Sequence, residues 1–178
     1  MLLSMQGWMK LLGAACILWG AAGCGIWFAG HYRKRIAELE QLKQMVFLLK
    51  GQILYASAPL PEALETVGKR SGGALGSLFL ETAASLAEKP GEPFNSIWKE
   101  AVLRMNDTAL SKTDRQTLAA LGEHLGFLDR ETQERTLLLY LEQVDAELGV
   151  LREHRQERCR LYTSLGIMGG LFLAVILV

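Results

Sequence analysis

The chain has 178 residues, half of them hydrophobic, 21% charged, with a formal net charge of zero. That length holds one modest domain, and the apolar excess over what a soluble domain of this size needs points to membrane segments. Balanced charge removes any global electrostatic case for nucleic acid. The three cysteines, Cys16, Cys24 and Cys159, make neither a disulfide framework nor a zinc-ligand spacing.

After a short leader (1–10), Leu11 to Gly30 runs without a single charged side chain. At the helical rise such a stretch covers about 30 Å, the thickness of the hydrocarbon core. A transmembrane helix over 11–31 is therefore expected, closed by Arg33, Lys34 and Arg35. A cleaved signal peptide is the alternative, with Lys10 ahead of the apolar run and Ala21-Ala22-Gly23-Cys24 as a faint cleavage box. Against it, the run continues past Cys24 through Ile26, Trp27 and Phe28, and the basic cluster follows it. Gly13, Cys16, Gly20 and Gly23 recur at spacings of three and four, a small-residue face on which helices approach closely in lipid.

The body, 32–160, reads as all-helical. Leu39, Leu42, Val46, Leu49 and Ile53 draw one apolar stripe on a helix that continues from the first span. Ser57-Ala58-Pro59 ends it. Pro61 opens a short helix through Ala63, Leu64 and Val67, and Ser71-Gly72-Gly73 breaks it. A third helix carries Leu75, Leu78, Phe79, Ala83 and Leu86. Lys89-Pro90-Gly91-Glu92-Pro93 is a turn before a fourth, with Ile97, Trp98, Ala101, Val102 and Met105. Ser111 and Asp114 form an N-cap pattern for a fifth helix, closed at Gly126. Asp129 caps a long last helix whose Leu137, Leu141, Val144, Leu148 and Leu151 repeat at four, three, four, three.

The two heptad-like stripes predict that the first and last helices pair as a coiled-coil-like stalk, with the shorter helices as a cap over its distal end. A second span follows over 161–178, with Gly166 and Gly170 as a small-residue pair. Arg152, Arg155, Arg158 and Arg160 precede it. With cations flanking the body at both ends, the body is expected in the cytoplasm and both termini across the membrane.

Nothing in the chain spells catalysis. His31, His124 and His154 lie far apart and fit neither a zinc motif nor a triad. Gly68-Lys69-Arg70-Ser71 lacks the upstream glycine of a phosphate loop, and Ser71-Gly72-Gly73-Ala74-Leu75-Gly76 follows no strand. No cofactor, metal or small-molecule substrate is expected. Glu38 and Glu40 read as the exposed side of the first stalk helix. Asp129, Arg130, Glu131, Glu134 and Arg135 open the last helix, where acidic groups favour the helix dipole; the alternative is a docking patch for a protein partner.

Several segments together resemble a known family. They are Met9-Lys10-Leu11-Leu12-Gly13, Pro59-Leu60-Pro61-Glu62-Ala63-Leu64, Leu121 to Glu131, and Tyr162 to Leu171. In order and spacing the chain from Met9 to Val178 resembles the stage III sporulation protein AB family of endospore-forming bacteria. The resemblance implies a mother-cell membrane component of the channel complex joining mother cell and forespore, similar to the inner-membrane platform protein of type II secretion. It implies partners among the proteins of the same operon, including a secretion-type ATPase, and no catalytic residues. Pro59, Leu60, Glu62, Asp129, Arg130 and Glu131 are the candidate partner-binding residues. A membrane-tethered helical sensor that passes a signal along its stalk is the alternative.

Overall fold

A computed structural model describes residues 30–125, 129 and 131–153, and every regular element among them is an α-helix. In chain order these are α1 (30–54), α2 (Leu60–Ser71), α3 (Gly73–Glu88), α4 (Phe94–Arg104), α5 (Lys112–Leu125) and α6 (131–153). The chain divides into two compact units, Lys34–Gly149 and the arms Met1–Arg33 with Val150–Val178. Among the described residues no helix is long and apolar enough to cross a membrane. Apart from Gly30 and His31 at the end of the first, both apolar runs expected to span, and their small residues Gly13, Cys16, Gly20, Gly23, Gly166 and Gly170, lie outside the described residues.

Within Lys34–Gly149 the predicted stripes are the core. Leu39, Leu42, Val46, Leu49 and Ile53 are buried on α1, and Leu137, Leu141, Val144 and Leu148 on α6. Three ion pairs join these helices: Arg35 to Glu147, Lys43 to Asp145 and Lys50 to Glu134. Residue numbers rise along α1 as they fall along α6, so the two run antiparallel.

The shorter helices do not sit as a cap over the far end of that pair. Gln41, midway along α1, donates through Nε2 to the carbonyls of Ser71 and Gly72 at 3.0 and 3.1 Å. The 2.7 Å bond from the Ala109 N–H to Glu38 Oε2 brings the segment before α5 down to the first turns of α1. The short helices thus lie along the α1/α6 pair. The cause is visible on α1, where Ile36 and Met45 are buried besides the predicted stripe. Its apolar face is wider than a two-helix seam uses, and the remainder is covered by helices folding back over it.

Two close approaches set the packing of those helices. At the corner between α2 and α3, Gly72 and Gly73 adopt φ of +62° and +66°, backbone that only glycine takes without strain. Beyond it the helices cross so tightly that a Cβ on Gly76 would stand 2.9 Å from the Gly68 carbonyl oxygen. Between α4 and α5, the Trp98 side chain lies against Gly122, where an added Cβ would fall 2.3 Å from Trp98 Cδ1. Trp98 is fully buried. Its Nε1–H donates to the Leu118 carbonyl at 2.7 Å, Phe79 meets its ring edge-on at 5.3 Å and Phe94 stacks on it at 5.9 Å.

This contact yields a coupled prediction. Trp98→Ala lowers stability by about 3–5 kcal/mol and Gly122→Ala by about 1–3 kcal/mol through overpacking. In the Trp98→Ala background, Gly122→Ala costs much less, because the clashing ring is gone. Denaturant melts of the four variants measure this, and strictly additive losses would refute the contact.

Candidate functional site

The polar groups that tie the body together gather on Arg35. Ser111 and Asp114 make the predicted capping box at the start of α5. The Ser111 N–H donates to Asp114 Oδ2 at 2.8 Å, and the Asp114 N–H donates to Ser111 Oγ at 3.1 Å. Asp114 has a second role that its position in the sequence does not reveal. It accepts both arms of the Arg35 guanidinium, Nε at 2.7 Å and Nη2 at 2.9 Å. Arg35 Nη2 also donates to Ser111 Oγ at 3.3 Å and to Glu147 Oε1 at 2.6 Å. One guanidinium therefore links α1, α5 and α6.

Burial pushes the Asp114 carboxyl up, but hydrogen bonds from Arg35 and Ser111 more than offset it and hold the group below its usual range. Arg35 is held still more firmly protonated by its hydrogen bonds to Asp114, against the opposing pull of burial. Tyr140 on α6 is buried, and both desolvation and the negative charge of Asp114 push its phenol up.

The basic cluster read from sequence as a membrane flank is partly consumed by these contacts. Arg35 is paired as described, and Lys34 donates to the Asp107 carbonyl at 3.2 Å and lies 3.8 Å from Glu38. Glu38, expected on the exposed side of α1, is instead mostly buried at the Ala109 N–H. Glu40 is exposed as expected. A single sequence carries no signal for the contacts of Arg35 with Asp114 and Glu147 or of Glu38 with Ala109, whose members lie 71 to 112 positions apart.

The candidate partner-binding residues fall at the opposite end of the α1/α6 pair. The Lys50–Glu134 ion pair sets the end of α1 beside the start of α6. Pro59, exposed, precedes α2, with Leu60 and Glu62 in its first turn. Asp129 and Glu131 open α6, and Arg130 lies outside the described residues. Asp129 is engaged as the N-cap, accepting from the Thr132 N–H at 3.0 Å and from the Thr132 hydroxyl. These hydrogen bonds hold its carboxyl below the usual range. Among the described residues, no group of three or more histidines, cysteines and carboxylates could hold a metal ion.

In the arms unit, Tyr32 Oη donates to the Leu151 carbonyl at 2.9 Å. The segments leading to the two apolar runs are thereby held side by side.

Comparison with known proteins agrees with the layout of these helices. The family model described as stage III sporulation protein AB matches residues 10–178. Stage III sporulation protein AB of Bacillus subtilis (strain 168) is 27% identical over 170 residues, covering 95% of this chain and 99% of that protein. A solved structure of a stage III sporulation protein AB superposes with a TM-score of 0.64 at 22% identity, over 70% of this chain and 98% of that one. At that identity the match speaks for the fold.

The Asp114 geometry sets an acid dependence. Its folded-state pKa lies below the unfolded value near about 3.9, so its contribution is complete above that pH and is lost as pH falls through the lower folded value. Asp114→Asn is expected to cost about 2–3 kcal/mol at neutral pH, since Arg35 keeps Glu147. The gap between parent and variant closes in melts carried below about pH 4, and a gap constant down to strong acid would contradict the ion pair.

Proposed function

The chain belongs to the stage III sporulation protein AB family, and on that premise we propose that it is a membrane-anchored adaptor of a sporulation secretion-like complex. In this reading its helical body stands in the mother-cell cytoplasm and assembles protein partners without performing catalysis. The observation that carries the proposal is the Tyr32–Leu151 hydrogen bond. It holds together the two segments that run into charge-free stretches, 11–30 and 161–178, each of about the length that spans a bilayer. A chain in which Tyr32 and Leu151, each near such a stretch in sequence, are bonded to each other suits a hairpin anchor.

The partner-facing surface is then assigned to Pro59, Leu60 and Glu62 at the start of α2 and to Asp129 and Glu131 at the start of α6, with Arg130 between the last two in sequence. The resemblance implies partners from the same operon, including a secretion-type ATPase, and lipid around the spans. Because Asp129 caps α6, its replacement both alters that surface and frays the helix. Leu60 and Glu62 are the cleaner positions for testing a partner contact. In the second reading, a signal-transmitting sensor, the ligand-binding body lies outside the cell.

Topology separates the two. In a chain whose own cysteines are replaced by serine, a membrane-impermeant maleimide applied to intact cells is expected to label Ser4→Cys. It reaches Ser96→Cys on the exposed surface of α4 only after lysis. Labelling of Ser96→Cys in intact cells would put the body outside and sink the adaptor reading.

A further inference from the structure

On the outer side of the α1/α6 pair lies a face whose composition folding does not explain. Lys43 meets Asp145 at 2.6 Å, and Lys50 meets Glu134 at 3.3 Å. On α1, positions 43, 47 and 50 follow at helical spacing; on α6, positions 134, 138, 141 and 145 do the same. The two rows face each other across the outer groove between the helices. Phe47, 65% exposed, and Leu138, 41% exposed, stand in these rows between the two ion pairs. The result is an aromatic and an aliphatic side chain in solvent, bracketed by two ion pairs whose lysines both stand on α1 and whose carboxylates both stand on α6.

We infer that two copies of the chain pair through this face, about a two-fold axis parallel to α1 and α6. The charges choose both the occupant and the axis. A rotation about an axis running along the helices sets α1 of one copy over α6 of the other, level with level. Each Lys43–Asp145 pair then meets the same pair reversed, and so does each Lys50–Glu134 pair, so the four charges alternate in sign around a ring. Phe47 comes to rest on Leu138 of the second copy. An axis across the helices would lay α1 on α1, setting Lys43 against Lys50 and Asp145 against Glu134, like charge on like. The face is self-complementary in one orientation only, which is the signature of an isologous contact. With two apolar side chains per copy it is a weak, reversible contact in solution. Confinement of both copies to one membrane would strengthen it. The inference does not depend on such anchoring, since all the residues used lie within Lys34–Gly149.

The test uses the full-length chain in detergent micelles, with Cys16, Cys24 and Cys159 replaced by serine. One tagged form carries Phe47→Cys, and a differently tagged form carries Leu138→Cys. After mixing, a short bis-maleimide is expected to join position 47 of one copy to position 138 of the other, in excess over 47-to-47 products. Lys43→Glu with Lys50→Glu in both forms should cut that yield about tenfold. Adding Glu134→Lys and Asp145→Lys should restore it. Thermal melts matching the parent show that the variants fold, as expected for exposed positions. Sedimentation of the unaltered chain in the same micelles should show a concentration-dependent dimer. Three results would overturn the inference: 47-to-47 products in excess, sedimentation as a monomer at every concentration, or a cross-linked yield indifferent to the charge changes.

Discussion

Arg35 is bonded at once to a carboxylate 79 positions later and to another 112 positions later, and the arrangement of the body follows from that double attachment. Closing loops of such length costs conformational entropy that rises only slowly with length. A planar guanidinium repays it well, because both arms bond Asp114 in one fixed geometry and Nη2 still reaches Glu147. The consequence is directional. With α5 pinned at its first turn to the start of α1, the chain between them must return from the far end of α1, and it does so as three short helices laid along the pair. The same anchor sets the level of α6, after which Lys43 and Lys50 find Asp145 and Glu134. A lysine at position 35 would keep the charge and lose the fork.

The elements themselves were legible because each boundary is written in local chemistry. Pro59 and Pro61 start α2, Gly72 and Gly73 turn it into α3, Pro90-Gly91 and Pro93 separate α3 from α4, and the Ser111/Asp114 box starts α5. The stripes on α1 and α6 were equally plain, and their burial matches the periodicity residue by residue. The placement of the short helices was not legible. A heptad-like stripe reports that a helix has a partner on one face, and it is silent about a third helix beside that partner. Ile36 and Met45 widen the α1 stripe, and that widening was the available sign that a two-helix stalk would leave apolar surface uncovered.

Glycines and carboxylates concealed the rest for a shared reason. Gly68, Gly76 and Gly122 look in sequence like weak points in helices, yet each marks a place where another element comes too near for a side chain. Glu38 and Asp114 look like helix surface and helix cap, yet each is claimed by a group far away in the chain. Both kinds of residue have a local meaning that satisfies a local reading. Their tertiary meaning arises only when helices distant in sequence meet. The partner-facing positions show the converse. Asp129 has its local role as a cap fully visible, and that role accounts for its presence before any partner is invoked.

The outer flank of α1 and α6 resists both kinds of account, and the energetics show why. Ion pairs between partly exposed groups contribute about 0–1 kcal/mol each, so Lys43–Asp145 and Lys50–Glu134 add little to folding. Phe47 leaves most of its surface in water, where it contributes less still. Tyr55 and Leu103 are also exposed, but single apolar side chains on a surface are ordinary. Phe47 and Leu138 differ from them in sharing one groove, at one level, between two pairs of fixed polarity. A flank built only for solubility would not need both ion pairs beside Phe47 and Leu138 to run the same way, lysine on α1 and carboxylate on α6. Segregation of that kind gains energy when the same surface is met again in reverse, and a parallel two-fold is the operation that reverses it.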